Sequence, residues 1–172
     1  MNSSTDQKAA TSEFRANLEV LMQIPLFARV PMEALKLLAY LFQRENFKPG
    51  DFLFRQNEVD GNVFFLLKGK AALVLEDGAE LVLTEYGEGQ LIGGQSLFAG
   101  TKRIFSLRAD SRITCLILAR DKFQRVLEQF PDIAPKMFEA IVVGIHQWEA
   151  RFLAQHAVKC SGCLQNLGVT LV

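Results

Sequence analysis

The sequence predicts a mainly β fold, an antiparallel jelly-roll β-barrel with helices before and after it. Residues 47–120 contain short apolar or alternating runs separated by glycine and Asp or Asn turns. About eight such runs without a long helical segment between them are typical of a barrel or jelly roll. Both flanks instead carry apolar residues at helical spacing. The chain has 172 residues, 49% of them hydrophobic, which suits one well-formed core.

The N-terminal flank predicts a polar start followed by two helices over 13–46. Residues 1–12 are polar and are expected to be disordered. The first helix is predicted from apolar residues at helical spacing, which are Phe14, Leu18, Leu21 and Met22. Pro31 suits the first position of a second helix, which is expected to stop near Asn46. Its apolar face is made by Leu35, Leu38, Ala39 and Phe42.

The central segment predicts strands and one tight hairpin. Apolar runs at 52–54, 63–67, 71–75, 81–83 and 113–118 read as strands. The Asp77-Gly78 pair lies between two of them and favours a type I′ turn, which needs positive φ at both central residues.

The C-terminal flank, 121–157, predicts two helices before a tail at 158–172. Asp121 is expected to cap the first with Gln124, in capping-box form, and Pro131 to end it. The helix predicted over 132–157 has a stripe at alternating steps of four and three, namely Ala134, Phe138, Ile141, Ile145, Trp148 and Phe152. That spacing favours homodimerisation through this helix, although a helix packed on its own domain shows a similar stripe.

Composition excludes several classes of function. The 19 basic and 19 acidic residues cancel, so no general attraction to nucleic acid is expected. The start lacks the features of a signal peptide and no apolar run is long enough to span a membrane, so a cytoplasmic protein is expected.

Cys160 and Cys163 have C-x-x-C spacing, but only His146 and His156 are near enough to complete a zinc site. We interpret the cysteines as tail thiols and expect no metal.

Residues 89–109 have the parts of an anion-binding loop. Gly93 and Gly94 allow backbone N–H groups to approach a ligand closely, and a short helix is expected to follow. Arg103 would hold the anion bidentately, unless it is a solvated surface charge. Gln95 and Ser96 would bind the ligand or cap the short helix, and Ile104 would offer its backbone N–H.

Four further segments have recognisable patterns, namely Ile24-Pro-Leu-Phe27, 35–42, 47–58 and 64–72 with Gly69. With these segments and the loop 89–109, the chain over 21–153 resembles the cyclic nucleotide-binding domain of catabolite-activator-type regulators and of the regulatory subunits of cyclic-AMP-dependent protein kinase. Asn57 stands where that family usually has glycine, a mild change because Asn tolerates a left-handed turn.

The resemblance implies a phosphate loop that has lost part of its ligand set. Family members that bind cyclic nucleotides open this loop with glycine and glutamate, and the glutamate accepts a hydrogen bond from the ribose 2′-hydroxyl. An arginine follows and pairs with the phosphate, before Ser or Thr and then Ala. Gly93 and Arg103 match that glycine and arginine, whereas Gly94 replaces the glutamate and Ile104-Phe105 replaces the last pair. Binding of cyclic AMP or cyclic GMP is therefore expected to be weakened or lost.

The resemblance implies a non-enzymatic regulatory sensor that signals through its C-terminal helix. No nucleophile, base and oxyanion hole are spaced together in the sequence. A dimerisation or interaction module, or a sensor of another small ligand, remains as the alternative. The tail 158–172 is too short for a helix-turn-helix, so we expect no DNA binding by this chain alone, which is either a fragment or acts through a partner.

Overall fold

A computed structural model describes residues 3–77 and 79–156. Its helices are α1 Ser3–Leu21, α2 Met32–Leu41, α3 Arg120–Gln129 and α4 Ile133–His156, with short 3₁₀ helices at Pro25–Phe27 and Gly94–Leu97. The strands are β1 Gln43–Phe47, β2 Phe52–Phe54, β3 Asn62–Lys68, β4 Ala71–Asp77, β5 Ala79–Tyr86, β6 Leu91–Ile92, β7 Ser106–Ala109 and β8 Ile113–Ala119.

The strands form two antiparallel sheets, which confirms the predicted jelly roll. Their orders are β1-β8-β3-β6 and β2-β7-β4-β5. The described strands of the two sheets do not pair with one another, so the fold is a sandwich rather than the closed barrel expected from the sequence. The β4–β5 pair confirms the predicted hairpin, and Gly78 itself lies outside the described residues.

The strands β3 and β8 are buried on both faces of their sheet. Phe64 and Leu66 of β3 pack into the core between the sheets. Val63 and Phe65, which alternate with them, pack into a second core under the helices. This two-sided burial explains why β3 and β8 read as continuous apolar runs, because neither face meets water over most of their length.

Three helix boundaries correct the sequence prediction. Residues 3–12 belong to α1 rather than to a disordered start, since helix formers such as Ala9 and Ala10 extend it beyond its apolar face. The helix α2 ends at Leu41, because the next residues pair with β8 as β1. The helix α3 begins at Arg120 with no side-chain cap, so the predicted capping role of Asp121 is wrong. The Arg120 N–H is bonded instead to the Gly61 carbonyl, 3.0 Å away.

Apolar pattern alone did not reveal three strands. The exposed edge strand β1 is polar, with the sequence QRENF. The strand β6 has two residues, and β7 lies inside the segment that we interpreted as a ligand loop. Each is defined by its partner strand, which a local pattern does not contain.

The helix α4 packs on the domain through Ile133 and Met137, both buried. Of the predicted stripe, Phe138 is 56% exposed and Ile145 37% exposed. The side chains of Trp148 and Phe152, and the residues Cys160 and Cys163, lie outside the described part of the chain. Within the described residues, no helix has the length and apolar character needed to cross a membrane.

Candidate functional site

The two glycines of the predicted anion loop directly follow β6. Gly93 has φ +82°, and the 3₁₀ helix Gly94–Leu97 follows at once. A Cβ atom at Gly93 would lie 2.5 Å from Nη1 of Arg103 and 3.2 Å from the carbonyl oxygen of Asn62. Two independent features therefore require glycine at this position, the positive φ angle and the close approach of the arginine.

Arg103 is buried, with only 5% of its side chain exposed. Its Nε and Nη2 atoms donate to the two carboxylate oxygens of Asp60, at 3.0 and 3.1 Å. Nη2 also donates to the Asn62 carbonyl at 2.5 Å. Nη1 takes part in none of these bonds and is the guanidinium atom nearest to Gly93. The interpretation of Arg103 as a solvated surface charge is therefore wrong.

The backbone and the nearby aromatic rings also fix the position of Arg103. Its N–H donates to the Glu58 carbonyl at 2.8 Å, and its carbonyl accepts from the Asn57 N–H at 2.7 Å. The guanidinium carbon lies 4.1 Å from the centre of the Phe54 ring, in cation–π contact. Burial lowers the pKa of Arg103, and the Asp60 carboxylate opposes that shift. The arginine is thus held in place before any ligand arrives.

A second arginine, Arg120, supports the loop from behind. Its Nε donates to the Ser96 carbonyl at 2.6 Å. Its guanidinium lies against Gly61 and Gly100, and a Cβ at either would come within 2.9 Å of it. Its Nη2 is buried and has no hydrogen-bond partner within the described residues. The Arg120 charge also lowers the pKa of Arg103. A positive charge therefore lies beneath the loop.

The loop faces a cavity of about 340 Å³ that reaches α4. Four of the six predicted site residues line it, namely Gly93, Gly94, Gln95 and Arg103. The remaining wall consists of Tyr86, Leu91, Ile92, Phe105, Ile141, Gly144 and Ile145. Ligand cavities commonly have volumes of about 300 to 1,000 Å³, so this one is large enough for a small molecule.

Two predicted site residues do not line this cavity. Ser96 is buried under the loop, and its carbonyl accepts a hydrogen bond from Arg120. No side-chain hydrogen bond caps the short helix. Ile104 points outward and is 71% exposed. Phe105 does line the cavity, and it also packs against Phe54 with ring centres 6.4 Å apart. Its ring therefore occupies the boundary between the cavity and the core.

The backbone at Gly94 does not require glycine. Its φ lies outside the left-handed region, and a Cβ there would contact Leu26 and Leu91 at an ordinary 3.7 Å. None of the described residues that line the cavity is acidic. The backbone of the loop would thus accept a residue other than glycine at position 94.

Sequence reasoning missed Asp60, Asn62 and Arg120. A local sequence pattern does not show which distant residues come into contact, and Asp60 precedes Arg103 by 43 positions. An acid followed by glycine, Asp60-Gly61, directly before an apolar strand was the one local signal available.

The profile of the cyclic nucleotide-binding domain matches residues 44–130. The human potassium/sodium hyperpolarization-activated cyclic nucleotide-gated channel 1 is 28% identical over 120 residues, which are 70% of this chain and 13% of the channel. This chain thus spans a small part of that relative.

Two solved structures share the fold. A cyclic nucleotide-binding-like protein from Brucella abortus has a TM-score of 0.60 and 28% identity, over 66% of this chain and 98% of its own. The N-terminal domain of a transcriptional regulator from Streptomyces coelicolor has a TM-score of 0.65 and 27% identity, over 74% and 93%. The sandwich, the glycine loop with its buried arginine and the family profile lead to one conclusion: this chain belongs to the cyclic nucleotide-binding domain family.

Proposed function

We propose that this chain is a non-enzymatic regulatory domain in which a ligand at the glycine loop changes the position of α4. The observation that supports this most is the shared cavity, because Gly93 and Arg103 line it from one side and Ile141 and Ile145 of α4 from the other. A ligand that contacts both walls stabilises one position of α4 over another, and that differential affinity is what a switch requires.

For the ligand, we propose weak binding of cyclic AMP or cyclic GMP. The human channel relative is cyclic nucleotide-gated by its name, and Arg103 of this chain is held in a fixed position at the loop. However, Nε and Nη2 of Arg103 are already engaged by Asp60, and Gly94 offers no acceptor for the ribose. A charged hydrogen bond to a hydroxyl contributes about 1.5 to 3 kcal/mol, so its absence lowers affinity about tenfold to 150-fold.

Titration calorimetry with cyclic AMP and 2′-deoxy cyclic AMP tests this proposal. We expect weak binding with nearly equal dissociation constants, because no carboxylate among the described residues lines the cavity to accept a hydrogen bond from the 2′-hydroxyl. An Arg103→Lys variant, which keeps the charge but loses the planar fork, is expected to bind both more weakly. A tenfold preference for cyclic AMP over its deoxy form, or heats unchanged by Arg103→Lys, contradicts the proposal.

We also propose that the chain forms a homodimer through α4. Phe138 is a large apolar side chain that is more than half exposed on this helix, at a position of the predicted stripe. The formal charge of zero adds no repulsion between two copies and no attraction to DNA.

Sedimentation at micromolar concentration is expected to show a dimer that Phe138→Glu converts to monomer. Val143→Glu is the matched control. Val143 is also exposed on α4, but it lines the groove beside Pro25 and Arg29, which Phe138 does not line. A monomer in the unmodified protein, or equal effects of both substitutions, rules out this interface.

A further inference from the structure

The wall of the 340 Å³ cavity is mostly apolar. Six of its lining residues present aromatic or aliphatic side chains, namely Tyr86, Leu91, Ile92, Phe105, Ile141 and Ile145. They come from three separate parts of the fold, the β5–β6 region, the segment after Arg103, and α4. A ligand that fills this cavity therefore buries an apolar body against them.

The polar end of the cavity is formed by the glycine loop and Arg103, with a second arginine beneath the loop. Arg103 and Asp60 neutralise one another as a pair. Arg120 lies under the same loop, and its side chain is bonded to the Ser96 carbonyl rather than to a carboxylate of the described residues. The Arg120 guanidinium lies against Gly61 and Gly100 beneath the loop, whereas Nη1 of Arg103, which does not bond to Asp60, faces the Gly93 backbone. These two guanidinium groups favour an anionic ligand at the loop.

The cavity is poorly equipped for a sugar. Its side-chain acceptors are the neutral amide of Gln95 and the hydroxyl of Tyr86, and no carboxylate of the described residues lines it. Sugar hydroxyls that enter it would exchange water for an apolar wall, which is unfavourable unless each finds a partner.

We propose that the ligand this cavity favours is a small monocarboxylate with an apolar body and without sugar hydroxyls. This inference rests on the proposed function, because it takes the same cavity as the ligand site. The carboxylate lies at Gly93 and Nη1 of Arg103, and the apolar body lies between Phe105 and Ile141. The carboxylate alone is not sufficient for binding, since Asp60 already uses most of the Arg103 donors, so the apolar body is needed as well.

Matched probes test the two halves separately by titration calorimetry. The probes are 3-phenylpropanoate and octanoate, with propanoate to remove the apolar body and 3-phenylpropanamide to remove the charge. Burying a ring contributes on the order of a hundredfold in affinity, so propanoate is expected to bind about that much more weakly. We expect a loss of about tenfold or more for the amide.

The Gly94→Glu variant gives the sharpest contrast, because a Cβ at Gly94 makes only ordinary contacts and Gly94 lines the cavity beside Gly93. The added negative charge is expected to weaken 3-phenylpropanoate binding about tenfold or more. The same substitution is expected to strengthen cyclic AMP binding. Gly94→Gln, which has nearly the same shape and no charge, separates repulsion from crowding.

The outcomes distinguish this inference from the proposed function. Binding of either carboxylate, reduced by Gly94→Glu and spared by Gly94→Gln, supports the inference. If cyclic AMP binds and neither carboxylate does, the inference is overturned and the proposed function stands. If neither the carboxylates nor the cyclic nucleotides bind, both are overturned. Equal binding of 3-phenylpropanoate and its amide also overturns the inference.

Discussion

Gly94→Glu is expected to increase the affinity for cyclic AMP about tenfold to 150-fold. The position has an ordinary backbone, and a Cβ there meets Leu26 and Leu91 at an ordinary contact distance, so the backbone does not oppose a side chain. Its carboxylate is expected to accept a hydrogen bond from the ribose 2′-hydroxyl, the interaction that the resemblance to nucleotide-binding members implies for a glutamate at this position. Titration calorimetry of the variant beside the unmodified protein measures the gain.

Two controls isolate that hydrogen bond. Gly94→Gln adds a side chain of similar size with a neutral acceptor, and is expected to give a smaller gain because hydrogen bonds to charged groups are stronger. With 2′-deoxy cyclic AMP, Gly94→Glu is expected to give no gain. If the variant binds both nucleotides equally well, or no better than the unmodified protein, the loop does not hold a nucleotide in the family's orientation.

Asp60→Ala is expected to destabilise the fold by about 3 to 5 kcal/mol. The substitution leaves the Arg103 guanidinium buried without its bidentate partner, because the Asn62 carbonyl alone remains as an acceptor. Urea unfolding followed by circular dichroism measures the change in the free energy of unfolding.

Asp110→Ala is the matched control for this prediction, since Asp110 pairs with Arg108 at the surface. Removing that partner is expected to cost no more than about 1 kcal/mol. Asp60→Asn, which keeps one acceptor for Arg103, is expected to fall between the two. Equal effects of Asp60→Ala and Asp110→Ala would show that the Arg103–Asp60 pair is no more important than an exposed ion pair.

The fold was predictable wherever burial leaves a local pattern. The strands β3 and β8 pack apolar side chains on both faces, so they stand out as apolar runs. The helix α4 shows its buried edge in Ile133 and Met137. The strand β1 was missed because its side chains are mostly exposed and leave no apolar pattern. Its partner strand β8 lies about 70 positions further along the chain.

The site was predictable in its glycine and its arginine, and not in the contacts that fix them. Gly93 and Arg103 lie in one recognisable segment. Asp60, which holds Arg103, and Arg120, which supports the loop, come from segments that only the folded chain brings together. The direction of Phe105 was also undetermined, because its ring serves both the core and the cavity.

A ligand that binds at the glycine loop is expected to change the position of α4, and the fluorescence emission of Trp148 tests this change most directly. Trp148 is the only tryptophan of the chain and belongs to α4. Titration with cyclic AMP into the millimolar range, in the unmodified protein and in Gly94→Glu, is expected to change that emission along a saturating curve, at lower concentration in the variant. Emission that stays constant while calorimetry shows the nucleotide binding would contradict the claim.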